Sequence, residues 1–205
     1  MVDVKIYKAF PTTICQFEYH PSTEDYKNMT TGFPESEQFY SYRNTSHGPH
    51  QTVDDLHKQV HFIKLREKVY NVSKHYLNNL EYEYDKIEIT GMWANKLYQG
   101  DAHPPHTHSN NILSGVYYLK SDKNSSPIQF FDPRAQATVL RPRNKPNWDN
   151  ATMIQFDSVQ GTGYVFPSWL MHWVPPTQDE RISVSWNILV RGEYGEDNTL
   201  QNAYI

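Results

Sequence analysis

One long stretch in the N-terminal half of the chain has hydrophobic residues at helical spacing. They recur every three or four residues, which is the period of one face of an amphipathic α-helix. We predict a helix over about residues 56–80, and Thr52 with Asp55 three residues later resembles the capping box that starts a helix. The hydrophobic positions are Phe62, Leu65, Val69, Val72, Tyr76 and Leu80. The rest of the first fifty residues favours loop, apart from a strand-like run at residues 4–10.

From residue 84 onwards the hydrophobic period changes to two, which indicates β-strands. Clusters of turn-forming residues, such as 121–127 and 142–150, separate the strand-like runs. The predicted strands are residues 86–97, 111–120, 128–131, 137–140, 163–166 and 182–190. Strands at this spacing predict a mainly β fold of the sandwich, barrel or jelly-roll type, with the long helix packed against one sheet.

The length of 205 residues fits a single domain, 1–205. Within it we predict an N-terminal region, 1–90, with a strand, a loop and the supporting helix. A β core at 91–192 and an irregular C-terminal tail at 193–205 follow. These boundaries place the chemically interesting residues in the core.

Composition and charge exclude several classes of partner. The net charge of −4 gives no basic surface for nucleic acid, and no apolar run approaches the ~18 residues of a membrane span. The N-terminus lacks the apolar segment of a secretory signal, and the single Cys15 cannot form an internal disulfide. We therefore expect a cytoplasmic protein.

The segment HPPHTH concentrates three histidines in six residues. Side chains two residues apart in an extended strand point to the same side, so His106 and His108 can present two imidazoles to one metal ion. A third ligand must come from a distant strand, and His172 is the candidate because it lies between two strand-like runs. The alternative is that HPPHTH is a solvated loop and that His172 is a core histidine beside Trp169 and Trp173.

The last long strand has one polar face that begins with a cation. Alternation places Ile182, Val184, Trp186 and Ile188 on one face and Arg181, Ser183, Ser185 and Asn187 on the other. Burying such a polar face is costly unless a ligand pairs with it. The rigid fork of Arg181 suits a carboxylate, and Ser183 can add a hydroxyl donor to the same group. An ion pair of Arg181 with an internal Asp or Glu is the structural alternative.

The order of these motifs resembles the Fe(II)/2-oxoglutarate-dependent oxygenases, particularly the branch related to prolyl hydroxylases. H-x-H is followed after five residues by SGVYYL and later by H-x8-R-x-S, and a group of oxygenases carries the same H-x-H-x5-SGVYYL signature. The resemblance covers residues 93–191, roughly half of the chain. The combination is specific, although each piece alone is common.

For the fold and the metal, the resemblance implies a double-stranded β-helix, or jelly roll, around one Fe(II). His106 matches the start of the family's HxD/E motif, and His172 matches the distal histidine. The chain departs from the pattern at His108, which replaces the carboxylate. Three neutral imidazoles can also bind iron on one face. Alternatively, Asp132 in FFDPR, or Asp101, supplies the carboxylate, and one histidine does not bind iron.

For the cosubstrate, the resemblance implies a site for 2-oxoglutarate. Arg181 and Ser183 match the R-x-S pair that binds its far carboxylate, and Tyr118 matches a tyrosine that reaches the same group. Tyr98 lies near the position of another cosubstrate-contacting tyrosine. The implied reaction uses O2, converts 2-oxoglutarate to succinate and CO2, and hydroxylates a small molecule or a protein side chain.

Two other classes of function fit part of the pattern. A cupin-like metalloenzyme with three histidines and no 2-oxoglutarate suits H-x-H and a distant histidine, but it leaves Arg181 and Ser183 unexplained. A non-enzymatic jelly-roll binding module with an incidental metal predicts no succinate production.

Overall fold

The computed structural model describes residues 2–31, 40–41, 48–134, 146–196 and 198–205. The helices are α1 (Thr23–Thr31) and α2 (Ile63–Asn79). The strands are β1 (Cys15–Glu18), β2 (Tyr40–Ser41), β3 (His50–Gln51), β4 (Lys86–Leu97), β5 (His103–His106), β6 (Leu113–Lys120), β7 (Ile128–Phe131), β8 (Met153–Phe156), β9 (Thr162–Pro167), β10 (His172–Val174), β11 (Arg181–Arg191), β12 (Glu193–Tyr194) and β13 (Ala203–Tyr204). Neither α1 nor α2 is long and apolar enough to cross a lipid bilayer.

Two antiparallel sheets form the predicted jelly roll. The larger has the strand order β1-β9-β6-β11-β4-β3-β2, and the smaller has the order β5-β10-β7-β8. Side chains of both sheets meet in one buried cluster, which includes Val116, Tyr118, Tyr164 and Phe166 of the larger sheet and Ile128 and Phe130 of the smaller. The interior between the sheets is therefore closed by aromatic and aliphatic side chains.

The alternation along β11 separates two environments. Its apolar residues, including Val184 and Trp186, pack on the outer face of the larger sheet in a cluster with α2. Leu65 and Val69 of α2 are fully buried there, and burial of each such side chain contributes roughly 1.5–3 kcal/mol. The polar residues of β11 therefore belong to the opposite face, which points into the jelly roll.

The long helix is confirmed, but it begins later than predicted. Two 3-10 turns, Leu56–Lys58 and Val60–Phe62, precede α2. The capping-box prediction was wrong: Asp55 makes no side-chain cap, and the Thr52 hydroxyl accepts a hydrogen bond from the Ala94 backbone N–H at 2.9 Å. Thr52 thus ties this segment to β4 instead of starting the helix.

Most predicted strands of the core are confirmed. Those at 86–97 and 128–131 have the predicted bounds, and those at 163–166 and 182–190 are each one residue longer at both ends. The strand predicted from residue 111 begins at Leu113. The strand predicted at 137–140 lies outside the described residues.

The N-terminal and C-terminal predictions were less accurate. Residues 4–10 form no strand and are exposed, because β1, further along the chain, takes the position beside β9 at the sheet edge. Helix α1 occupies a stretch that was predicted to be loop. The tail predicted to be irregular contains the short hairpin β12–β13. The strand prediction failed because the position at the sheet edge depends on pairing with distant residues. Helix α1 and the hairpin depend on nearby residues instead: the Asp25 backbone N–H donates to the Ser22 hydroxyl before α1, and β12 pairs with β13 a few residues further along the chain.

Candidate active site

His106 and His172 lie opposite each other on the paired strands β5 and β10. His106 Nδ1 is 2.8 Å from the Pro104 carbonyl oxygen, and His172 Nδ1 is 2.8 Å from the Leu170 carbonyl oxygen. A carbonyl oxygen accepts hydrogen bonds, so each Nδ1 carries the proton and donates it. Each Nε2 therefore keeps its lone pair, as in histidines that bind metals.

His108 completes a group of three imidazoles. Its Nε2 is 3.4 Å from His172 Nε2, and the potential ligand atoms of His106, His108 and His172 all lie within 4.8 Å of one another. Two nitrogens bound to one ion at about 2.0–2.1 Å are at most about 4 Å apart. Small side-chain rotations therefore bring all three nitrogens onto one metal ion.

The environment keeps His108 and His172 neutral. Burial is the main cause, and electrostatic coupling to His106 adds to it; together they lower the pKa of His172 to about 3 and that of His108 to about 4. The neutral imidazole is the form that binds metals. His103 stacks on His106 with ring centroids 4.2 Å apart, and burial lowers the pKa of His103 well below its ordinary value. The solvated-loop alternative is wrong for residues 103–106, which form β5.

Hydrogen bonds to the larger sheet hold the segment that carries His108. The His108 backbone N–H donates to the Ser168 carbonyl oxygen at 2.9 Å. The Ser168 hydroxyl lies 2.8 Å from the Ser114 hydroxyl, which is also 2.8 Å from Asn187 Oδ1. Ser114 is on β6 and Asn187 is on β11, so two central strands fix the position of the third imidazole.

Neither aspartate considered as an alternative ligand joins this group. Asp132 pairs with Arg134, whose Nη2 lies 2.8 Å from its Oδ2. Asp101 Oδ2 accepts a hydrogen bond from the Tyr98 backbone N–H at 2.9 Å. Within the described part of the chain, the group contains three histidines and no carboxylate. The geometry therefore favours three imidazoles.

Arg181 starts β11 and is buried inside the jelly roll with 2% of its surface exposed. Its Nη1 donates to the Ser126 carbonyl oxygen at 3.1 Å, whereas its Nε is buried without a hydrogen-bond partner. No Asp or Glu in the described ranges forms an ion pair with it. Burial lowers the pKa of the guanidinium. A buried cation of this kind is costly until an anion pairs with it.

Tyr118 and Ser183 lie beside this guanidinium. Arg181 Cζ is 4.9 Å from the centre of the Tyr118 ring. Burial raises the pKa of Tyr118 to about 12, although the charge of Arg181 opposes this. The Tyr118 hydroxyl makes no well-aligned hydrogen bond with a described residue. It nevertheless lies close enough to the guanidinium to raise the pKa of Arg181, which partly opposes the effect of burial. Ser183 is buried and pairs with Tyr118 across β11 and β6, so the two side chains share the inner face.

Tyr98 has a different environment from the one that the resemblance implies. It follows β4, and its ring contacts His50 at a centroid distance of 5.3 Å and Lys96 Nζ at 4.8 Å. Its side chain is 42% exposed. None of the contacts described for Tyr98 joins it to Arg181. The role of Tyr98 in binding a cosubstrate stays a prediction.

Asn95 is a polar residue of the interior that the sequence reasoning missed. Its amide donates to the Ser185 hydroxyl at 2.9 Å and accepts from Gln51 Nε2 at 2.6 Å. It lies opposite Ser183 in the sheet register. Trp93, two residues earlier, has its ring 5.9 Å from that of His108, and its indole N–H is buried without a partner. Alternation along residues 86–97 places Asn95 and Trp93 on one face, and this signal could have identified Asn95.

Comparison with known proteins gives one family match and several matches of fold. Residues 91–187 match the family described as Putative 2OG-Fe(II) oxygenase. No curated protein matches the chain.

Three solved structures have the same fold as this chain over most of its length. A Pseudomonas putida prolyl-4-hydroxylase is 14% identical, with 88% of this chain and 94% of that chain covered and a TM-score of 0.64. The viral collagen prolyl hydroxylase of Paramecium bursaria Chlorella virus-1, in its 2-oxoglutarate complex, is 14% identical, with 85% and 94% covered and a TM-score of 0.57. The non-heme α-ketoglutarate-dependent epimerase SnoN of nogalamycin biosynthesis is 9% identical, with 92% and 83% covered and a TM-score of 0.64. At these identities the similarity shows the fold.

Proposed function

We propose that this chain is an Fe(II)- and 2-oxoglutarate-dependent oxygenase, the family whose model matches residues 91–187, and we assign its residues to the chemistry of that superfamily. In this proposal, His106, His108 and His172 hold the iron. Arg181 binds the distal carboxylate of 2-oxoglutarate, with Tyr118 and Ser183 as further donors. One observation carries the proposal: a group of three imidazoles lies in the same interior as a buried guanidinium that has no carboxylate partner among the described residues.

The residues present fit both groups. Three imidazoles on one side leave the remaining coordination positions of an ion open to other ligands. Arg181 Nε and the Tyr118 hydroxyl are buried polar atoms that need partners, and a carboxylate oxygen accepts from both. When bound, Fe(II) and 2-oxoglutarate supply the activation of O2, and 2-oxoglutarate is decarboxylated to succinate and CO2.

The residues of the chain orient the reactants and exclude water. The charge and planar fork of Arg181 fix one end of a dicarboxylate in the interior. Phe166 and Phe130 pack against His172 with ring centroids 4.8 and 5.8 Å away. Apolar rings at this distance keep water away from a reactive centre, which limits side reactions.

For the outcome of the reaction, we propose hydroxylation of a C–H bond in a small molecule or a protein side chain. His106 and His108 are partly exposed, so a substrate can approach the metal position from solvent. The solved structures with this fold include a collagen prolyl hydroxylase, which is consistent with a protein side chain as the substrate. We place the reaction in the cytoplasm, where reducing conditions retain Fe(II).

The two alternative functions explain less of the interior. A cupin-like enzyme with three histidines accounts for the metal group but leaves the guanidinium of Arg181 unpaired. A binding module without catalysis does not explain why the three histidines would leave coordination positions of a metal ion open to other ligands.

The proposal is tested by adding Fe(II) and 2-oxoglutarate to the protein without oxygen. The expected result is a weak visible charge-transfer band, and succinate forms once O2 is admitted. His172→Ala should abolish both signals, and His75→Ala, which changes an exposed histidine of α2, should leave both unchanged. Absence of the band from the wild-type protein would contradict the proposal.

A further inference from the structure

The first residues of the chain form an exposed apolar arm, residues 2–10. Val2, Val4, Ile6, Tyr7 and Phe10 are between 70% and 94% exposed. Val2, Val4 and Ile6 alternate with the charged residues Asp3 and Lys5, which is the pattern of a strand with one buried face. The arm nevertheless pairs with no described strand. A run of exposed apolar residues of this kind marks an interaction surface.

An apolar groove begins where the arm ends. It has a volume of about 680 Å³, and Pro11, Thr12 and Thr13 form part of its wall. The rest is formed by the end of α2, residues 110–113 after His108, the residues around the end of β9, the end of β11, β12 and the end of the chain. Its lining includes the exposed side chains of Leu80, Tyr82, Trp169 and Ile205. Among the residues that the structure describes, none with a charged side chain lines this groove.

The groove also offers partners for an extended chain. The Tyr194 hydroxyl is buried in its wall without a hydrogen-bond partner in the described part of the molecule. An extended segment brings backbone N–H and C=O groups that need such partners. The groove therefore suits an apolar peptide segment.

The arm points away from the groove of its own chain. Phe10 has a φ of 56°, which turns the backbone immediately before Pro11. Lys8 Nζ lies 3.0 Å from Asp149 Oδ1, so the arm runs towards a loop that does not line the groove. Within the described part of one copy, the arm thus does not enter the groove, and the apolar side chains of the arm stay exposed.

The charges of the arm complement the surroundings of the groove. Two lysines and one aspartate give residues 2–10 a net charge of +1. Glu81 and Glu83 flank Tyr82, and Glu193 precedes Tyr194. All three glutamates are exposed, and none has an ion-pair partner among the residues placed by the structure. An exchanged arm gives up the exposed Lys8–Asp149 pair, which is worth little, and its excess positive charge then faces this acidic rim.

We propose that two copies of this chain exchange their N-terminal arms, each arm lying in the groove of the other copy. Nine extended residues span about 30 Å. This length allows the arm of one copy to cross the contact surface between the two copies and reach the groove of the other. The exchange is reciprocal, so both grooves are filled and the assembly closes as a symmetric dimer. The exchanged arm contacts residues 110–113, which follow His108, and so supports the segment that carries one imidazole.

The proposal is tested by sedimentation of the full chain over a range of concentrations. The wild type should form a dimer with a dissociation constant on the order of micromolar. Ile6→Asp in the arm and Tyr82→Asp in the groove should each weaken the dimer by about a hundredfold or more, because each buries a charge in an apolar contact. Val60→Asp is the matched control, since Val60 is exposed but lies outside the groove, and its dimer should equal that of the wild type.

A disulfide experiment identifies which arm fills which groove. In a Cys15→Ala background, one preparation carries Ile6→Cys and another carries Tyr82→Cys, so a bond between the two sites joins different copies. Oxidation of the mixture should give a crosslinked dimer that neither preparation gives alone. A monomer at every concentration would overturn the proposal, as would a dimer that survives both Asp variants. Crosslinking within one copy of a double-cysteine chain, without any between copies, would also overturn it.

Discussion

Replacement of Arg181 separates an oxygenase that uses 2-oxoglutarate from the alternatives. In the structure the guanidinium is buried, donates to the Ser126 carbonyl oxygen and has an unpaired Nε. Arg181→Ala removes both the charge and the fork. Arg181→Lys keeps the charge but loses the bidentate geometry. Both variants should retain iron, because Arg181 is not part of the histidine group.

The size of the effect follows from burial. Removing one partner of a buried, hydrogen-bonded charge pair costs about 2–5 kcal/mol, because the other charge loses its partner in a dry site. This corresponds to a loss of affinity for 2-oxoglutarate of roughly thirtyfold to several thousandfold in Arg181→Ala. Arg181→Lys should lose less, because the cation remains. The protein without cosubstrate should not lose stability in Arg181→Met, since a buried unpaired cation is replaced by an apolar group of similar length.

The assay is titration of the Fe(II) absorption band with 2-oxoglutarate in the absence of oxygen. Arg191→Ala is the matched control, because Arg191 ends the same strand but pairs with Glu88 at the partly exposed surface, and its affinity should equal that of the wild type. Unchanged affinity in Arg181→Ala would refute the reasoning, since Arg181 would then be a structural residue.

Three further predictions test other parts of the site and the fold. His108→Asp should keep iron by restoring a set of two histidines and one carboxylate, while Asp132→Ala should not change iron content; the reverse pattern in metal analysis would identify Asp132 as the ligand. Tyr118→Phe should weaken 2-oxoglutarate binding by about tenfold to a hundredfold with little loss of thermal stability, because the lost hydroxyl makes no well-aligned hydrogen bond with a described residue; unchanged affinity would exclude it from the carboxylate site. Leu65→Ala should lower the free energy of unfolding by about 2–5 kcal/mol in denaturant titrations. Leu200→Ala, at an exposed position, should leave it unchanged, and equal effects of the two variants would contradict the assignment of Leu65 to the core.

The strands that carry the chemistry could be predicted because their patterns are local. Alternation along β11 separates Arg181 and Ser183 from Val184 and Trp186, and burial on both faces confirms this separation. The spacing predicted that one extended strand presents His106 and His108 to the same point; β5 ends at His106, but the two side chains do meet in the histidine group. Local periodicity was therefore sufficient to find most residues of the candidate site.

The features that were missed depend on pairing between distant segments. The apolar alternation of residues 4–10 predicts a strand, but β1 occupies the sheet edge beside β9. Thr52 resembles a helix cap, but its hydroxyl binds β4. The location of Asn95 opposite Ser183 becomes visible once the register of β4 and β11 is known. In each case the deciding partner is more than thirty residues away in the chain.

The iron content of histidine variants tests the central claim most directly. The protein is loaded with Fe(II) without oxygen, freed of unbound metal by gel filtration and analysed for iron per chain. The wild type and His75→Ala should each retain about one iron, and His106→Ala and His172→Ala should retain almost none. Both should keep their folded circular dichroism spectra, because each loses one metal ligand and the ring contacts of a single imidazole, while the large apolar core stays in place. Full iron occupancy in either His106→Ala or His172→Ala would contradict the assignment of the metal centre.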